Sequence, residues 1–373
     1  MALRKCKLGE LIELCTETNY DLKYSLKDVK GISIKKDFIE TKADMKGVSL
    51  KPYLLVRPDC FAYVTVTSRN GEKVTIAHNT TSYTYLVSSS YVVFRVKNEN
   101  ILNSDWLFMF FNRSEFDRYA RFDSWGSARE VFSFESLCDI EIELPDIDIQ
   151  KKYVAVYLSM LSNQKSYEKG LDDLKLVYDG LLDELKHKNE LVEIREYITQ
   201  VDIRNESNYK YRFAGLSMDN YFIDSIADSN ELDFRKYKIV APNEYGAVLM
   251  KVGRDCRLTI ARNTSKDYYL ISPAYYVFKT HNIIPEYFMA NVNRSEFERR
   301  AWFSCDSSAR ASLPWDDFLS LKIPLASEKK QQIIKELYNS QIIRFDINER
   351  LKQQIKDICP ILIKGSIEEA KEA

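Results

Sequence analysis

The chain has 373 residues, of which 45% are hydrophobic, 13% aromatic and 29% charged. That length exceeds a typical single domain, and the apolar content excludes wholesale disorder, collagen-like repeats and low complexity, so two compact units, or two units with extended helices, are expected. Lys and Arg number 54 against 55 Asp and Glu, a formal charge of -1, which excludes a uniformly basic, histone-like nucleic-acid binder; any phosphate attraction is local or supplied by a partner.

The opening MALRKCKLGELIEL is basic but has no clean apolar stretch and no small-residue cleavage site. No window holds the roughly 18 apolar residues of a membrane span, so a cytoplasmic protein is expected. β-rich runs follow, YLLVRPDCFAYVTVT and then VTIAHNTTSYTYLVSSSYVVFRV, whose Val, Tyr, Thr and Phe content suits strands. A helix beginning near Asp105 is expected to carry NRSEF (112–116), with Trp106, Phe110, Phe111 and Phe116 in a core and Arg113 on a solvated face. From about 148 to 197 there is no proline, and Leu171, Leu174, Tyr178, Leu181 and Leu185 fall at heptad steps. The β-rich pattern then returns: LTIARN (258–263) repeats VTIAHN (74–79), NRSEFER repeats NRSEFDR, Ser308-Ala309-Arg310 repeats Ser127-Ala128-Arg129, and Pro242 repeats Pro58. In this copy the helix begins near Pro285, Phe297 is expected in the core and Arg294 on a solvated face. A second proline-free stretch, 327–359, has Ile347, Leu351, Ile355 and Ile358 on a charged background, with Asn348 interrupting the seam.

A period near 180 residues is too long for a solenoid and marks a duplicated domain. The expected fold is α+β: two similar mixed α/β domains separated by two long helices that form an antiparallel coiled coil in a pseudo-twofold arrangement. The expected boundaries are a first domain over 1–146, a spacer helix over 147–199, a second domain over 200–326, and a second helix with tail over 327–373.

Catalytic chemistry is sparse. The histidines are His78, His187 and His281, and the seven cysteines, Cys6, Cys15, Cys60, Cys138, Cys256, Cys305 and Cys359, contain no CxxC; no metal site is expected. HExxH, phosphate-cradling and nucleophile-elbow motifs are missing, as is any Pro-Pro pair. Asp146 with Asp148, and Asp316 with Asp317, have the carboxylates a nuclease metal would need, but the first pair stands at a helix start, where acids favour the dipole. Polar turns offer better chemistry. His78, Asn79, Thr80, Ser82 and Tyr83 in the first copy answer to Arg262, Asn263, Thr264, Ser265 and Lys266 in the second, and Asn and Arg are the side chains suited to bidentate contacts with adenine and guanine edges. The same Asn and Thr also suit a hairpin closed by its own side-chain bonds. Gly126, Ser127 and Arg129, and Ser308 with Arg310, suit a close backbone approach to phosphate or a structural arginine.

The order of these features, namely the KLGELIEL opening, duplicated domains, GSAR and SSAR turns, the joins IELPDIDIQKKYV and IPLASEKKQQII, and a long helix after each domain, resembles the DNA specificity subunits of type I restriction-modification systems. The resemblance implies a non-catalytic DNA-binding chain whose target-recognition domains each read one half of a bipartite double-stranded site, with the helices setting the spacing. It also implies docked methyltransferase subunits, two by the pseudo-symmetry, and a restriction motor-nuclease subunit; S-adenosylmethionine, ATP and magnesium belong on those partners and no cofactor on this chain. Two other readings stay open on the residues alone: a helical scaffold or adaptor with two protein-binding domains, and a nuclease or modification chain with hidden acidic chemistry.

Overall fold

The computed structural model describes residues 3–41, 43–66, 73–124, 131–225, 233–250, 257–305 and 312–373. The chain divides into two compact units, Met1–Ser166 with Asn348–Ala373, and Tyr167–Ile347. Both are mixed α and β, and each contains one copy of the repeat with parts of both long helices. The helices are α1 (Ser104–Phe111), α2 (Ser114–Phe122), α3 (Phe134–Cys138), α4 (Ile147–Lys188), α5 (Pro285–Val292), α6 (Ser295–Phe303), α7 (Trp315–Leu319) and α8 (Glu328–Glu372). No helix among the described residues is long and apolar enough to cross a membrane.

In the first copy a four-stranded antiparallel sheet runs in the order Ile12–Leu14, Tyr91–Val96, Phe61–Val64, Ile76–His78. The second copy repeats it as Ile198–Val201, Tyr276–Thr280, Tyr245–Val248, Thr259–Arg262. Aromatic pairs hold equivalent places under each sheet: Phe61 stacks on Phe94 with centroids 5.0 Å apart, and Tyr245 on Phe278 at 4.8 Å. Trp106, Phe111, Phe116 and Phe132 complete the first core, and Tyr287, Phe288, Phe297 and Phe318 the second. Burying so many rings supplies the apolar area that lets copies of this size fold.

Two sequence expectations need correction. NRSEF does not lie in one helix: α1 ends at Phe111, Arg113 is extended (φ -79°, ψ 144°), and α2 starts at Ser114. The same break separates α5 from α6 at Asn293 and Arg294. Nor does the first long helix reach 199. It stops at Lys188, and Leu191–Glu193 pairs antiparallel with Lys322–Pro324, as Leu3–Lys7 pairs with Glu141–Pro145. Leu8 N donates to Ile140 O and Ile194 N to Leu321 O, both at 2.9 Å, so residues 191–201 are the second copy's version of the chain opening. The likeness between LRKCKLGELIEL and LVEIREYITQV is confined to apolar positions and the acid pair Glu10 and Glu196, too little to mark a repeat in the sequence. The second long helix, α8, runs through Pro360 as expected and on to Glu372, taking in the GSIEEAKEA tail. Proline removes one helix hydrogen bond, but the turns beyond it bury Leu362, Ile363, Ser366 and Ala370, and Trp106 Nε1 donates to Ser366 Oγ at 3.1 Å. That packing outweighs the local break.

Within each unit the long helices pair antiparallel. In the first, Val154 and Tyr157 of α4 join the same core as Ile355, Cys359, Leu362 and Ile363 of α8. Lys152 and Tyr153 both bond Glu369, at 2.7 and 3.0 Å. In the second, Tyr178, Leu182 and Leu185 share a core with Ile334 and Tyr338. Asn348, an irregularity in the apolar seam, is buried and accepts from Gln164 Nε2 at 2.9 Å. A partnered amide pair in a helix seam costs little and disfavours shifted registers, in which each amide is left alone in apolar surroundings.

Candidate nucleic-acid interface

The two motifs that recur most closely are bonded to one another. The acid ending NRSEF[D/E] accepts from the first backbone amide of [V/L]TIA[H/R]N: Asp117 Oδ1 from Val74 N and Glu298 Oε1 from Leu258 N, both at 3.1 Å. In the first copy Asp117 also receives the buried Lys36 at 2.9 Å. In the second, Asn220 Oδ1 takes Ile260 N at 2.9 Å while its amide donates to Asn293 at 2.8 Å. Repetition of these sequences therefore follows from a duplicated strand-to-helix latch.

The candidate hairpin turns are built around a buried asparagine. Asn79 Nδ2 donates to Val56 O (3.0 Å) and Tyr83 O (2.8 Å), while its Oδ1 accepts from Thr81 N (3.1 Å) and Thr81 Oγ1 (2.7 Å). Asn263 makes the same four bonds, to Val240 O, Asp267 O, Ser265 N and Ser265 Oγ. This is an Asx turn with its amide spent on backbone carbonyls. The repeated prolines explain the neighbouring turn: Pro58 and Pro242 precede Asp59 (φ 61°) and Asn243 (φ 67°), and Cys60 N bonds Arg57 O as Glu244 N bonds Ala241 O. Proline followed by a left-handed residue is the type II pattern. Asn79 and Asn263 exchange backbone bonds with these turns, so their amides are structural plugs with no edge left for a base.

His78 and Arg262 are also turned inward. His78 is buried, stacked on Phe61 at 4.5 Å, with Nδ1 3.4 Å from Asp105 Oδ1 but outside hydrogen-bond geometry. Arg262 reaches Glu286 Oε1 at 2.5 Å and Asn243 Oδ1 at 2.8 Å. Asp105 and Glu286 are equivalent acids in the first turns of α1 and α5, where the helix dipole favours negative charge. Burial raises the Glu286 carboxyl, but the Arg262 hydrogen bond, its own backbone amide and the Arg262 charge outweigh it, and the net shift is downward.

Each copy is clamped to its long helix by a buried glutamine that the sequence reading passed over. Gln150 Nε2 donates to Ile101 O and Pro145 O, and its Oε1 accepts from Asn103 N. Gln331 donates to Ala326 O and accepts from Ile284 N. The available signal was a glutamine at matched positions in the two joins. The NRSEF arginines are likewise less solvated than expected: Arg113 packs over the Phe110 ring at 3.9 Å, and Arg294 is buried against Asp183 of α4 at 2.5 Å and Asp179 at 3.4 Å. Both arginines were expected on a solvated helix face, which the α4 contact rules out for Arg294.

Beside Arg294, Glu296 receives Lys186 of α4 at 2.5 Å and is also bonded by Arg300. Burial raises its carboxyl, but the two cations dominate and hold it at about 2, against an ordinary 4.5. A carboxyl depressed on folding contributes stability above its unfolded value that disappears as pH falls through the folded one. Urea unfolding of Glu296→Gln against wild type is therefore expected to show a constant deficit above about pH 5 that closes between 4.5 and about 2; a deficit independent of pH across that window would refute the ion-pair account.

With those groups committed, the turns display Thr80, Ser82 and Tyr83 in the first copy, and Thr264, Lys266, Asp267 and Tyr268 in the second. Ser265, like Thr81, spends its hydroxyl inside the turn. The two displays differ. Tyr83 is 72% exposed. In the second copy Tyr268 stacks on Tyr211 at 5.2 Å, and Tyr211 lies 5.4 Å from Tyr209, giving a three-ring platform beside Lys266 that the sequence reading missed. Gly126, Ser127 and Arg129, and Ser308 with Arg310, lie outside the described residues. Their flanks are placed: Val66 bridges Val131, and Met250 bridges Ser312. Asp316 pairs with Arg195 at 3.8 Å, and among the described residues no group of three His, Cys, Asp or Glu side chains stands close enough to hold a metal.

Residues 4–173 match the family model of the type I restriction modification DNA specificity domain. That segment spans the first copy and the first part of α4. No curated protein matches the chain. Among solved structures, similar chains include a type I restriction-modification S subunit from M. genitalium (12% identity, 98% of this chain and 96% of that one, TM-score 0.49). Others are a chain from a structure of type I R-M system assembly and conformational transition (12%, 99% and 97%, 0.45), and the HsdS subunit of Thermoanaerobacter tengcongensis (12%, 98% and 96%, 0.37).

Proposed function

We propose, since residues 4–173 match the family model of the type I restriction modification DNA specificity domain, that the whole chain is the DNA-reading subunit of such a system, with each copy reading one half of a bipartite double-stranded site. The observation that carries this reading is a shared buried frame with unshared displays. Both copies keep the latch, the asparagine plug and the glutamine clamp, while the exposed turn residues differ, as two readers of different half-sites require. Base contacts are assigned to Thr80, Ser82 and Tyr83 in one half, and to Thr264, Lys266 and the tyrosine platform in the other. Gly126, Ser127, Arg129, Ser308 and Arg310 remain the assigned phosphate contacts by their sequence. Two methyltransferase subunits and a restriction motor-nuclease subunit are the partners, working in the cytoplasm. S-adenosylmethionine, ATP and magnesium act on those partners, and this chain supplies recognition without catalysis. A near-neutral chain suits that division of labour, since partners then carry much of the salt-dependent phosphate attraction.

The test is single-molecule sequencing of host DNA with the gene present and deleted, scoring modified adenines by context. Two short defined blocks around a fixed gap, lost on deletion, are expected. With an active methyltransferase partner present, the absence of any gene-dependent motif would overturn the reading in favour of a scaffold.

A further inference from the structure

The two most exposed large apolar side chains among the described residues are Phe303, 91% exposed, and Phe122, 83% exposed. They are the same position of the repeat, the last residue of α6 and of α2. Both helices bury their other faces through Phe116 with Ala120, and Phe297 with Ala301, and no core claims the terminal Phe of either. An isolated exposed Phe needs no explanation; one kept fully out of the core at the matched position of both copies does.

Each Phe has a cation four residues before it, Arg118 in α2 and Arg299 in α6, both exposed. A spacing of four puts the pair on one helix face. The faces are enlarged by Tyr119 and Arg121 in the first copy and by Trp302 in the second, all exposed. Cation plus flat apolar ring, repeated once per copy, matches a polyanion with stacked bases, and a duplicated contact matches a ligand that presents the same backbone to each copy.

The geometry points to Phe122 and Phe303 as apolar wedges, one per half-site, that press into a base step of the DNA while Arg118 and Arg299 meet the flanking phosphates. This rests on the DNA-reading function proposed above. Side chains such as Phe at a base step unstack it and add affinity whatever the sequence read beside them. The wedge is therefore a shared affinity device, separate from the turn residues that differ between copies.

The test uses the chain assembled with its methyltransferase subunits, and duplexes bearing the split motif recovered from wild-type host DNA, with 2-aminopurine scanned through each half. Phe122→Ala is expected to weaken binding roughly tenfold to hundredfold and to abolish the fluorescence rise in one half only. Phe303→Ala is expected to do so in the other half, and Phe122→Trp to keep both signals. Thermal unfolding should barely change, because neither ring contributes to a core. Unchanged affinity and fluorescence in both alanine variants would overturn the wedge. So would normal DNA binding with loss of methyltransferase assembly, which would make these rings a protein-docking site. A wild-type complex that selects no motif would instead overturn the DNA-reading function itself.

Discussion

Replacing residues 191–326 with the corresponding segment of a type I specificity subunit is expected, on the DNA-reading function proposed, to exchange one defined block of the methylated motif completely and leave the other block unchanged. The start of the segment matters. Leu191–Glu193 pairs with Lys322–Pro324, and Ile198–Val201 pairs along its length with Tyr276–Thr280. A junction at residue 200 cuts the second ladder and leaves the first with a foreign partner, so chimaeras joined there should express poorly. Joined at 191, every strand of the second copy travels with its partners. The donor must still meet Tyr178, Leu182 and Leu185 of α4 and Ile334 and Tyr338 of α8, which share the core of the second copy; a donor with matched volumes there avoids cavities or overpacking. Methylation mapping reads the outcome. A change in both blocks, or in neither, would overturn modular reading.

The duplication, the mixed α/β character of each copy and the two long helices were legible because they rest on local signals: matched hexapeptides, β-branched and aromatic runs, and apolar residues at heptad steps. What was not legible depended on partners distant in sequence. The basic last turn Lys186-His187-Lys188 followed by Asn189 is a weak stop signal, and what fixes the end is Leu191–Glu193 pairing with Lys322–Pro324. The order of the GSIEEAKEA tail is set the same way, by burial of Ser366 and Ala370 and by the bond from Trp106 Nε1 to Ser366 Oγ, a partner 260 residues away. The candidate site shows the same limit. Asn79 and Asn263 have the chemistry of base readers, and only the positions of Val56 O and Val240 O reveal that their amides are already used. Repetition carried the signal at these two positions: Asn79 and Asn263 match because each plugs the same turn, and buried polar residues that match across the copies are first of all scaffold.

That logic gives its strongest stability prediction at Asn79. The side chain is 1% exposed and makes four bonds, two of them to backbone carbonyls. Asn79→Ala leaves the carbonyl of Val56 without its amide partner in the interior and frees Thr81 from the turn. Removing one partner so that a buried group stays unsatisfied costs the desolvation penalty as well as the bond, and with several bonds lost together a destabilisation of about 2–4 kcal/mol is expected. Thr80→Ala, one residue on and exposed, should change stability by less than about 0.5 kcal/mol. The two variants separate scaffold from reader when thermal unfolding and methylation mapping are run side by side. Asn79→Ala should melt early and blur the first half-site by loosening the turn, whereas Thr80→Ala should melt normally and alter that half alone. Asn263→Ala should do to the second copy what Asn79→Ala does to the first. If Asn79→Ala instead melts like wild type and changes a single base preference, its amide faces DNA and the plug is not its role.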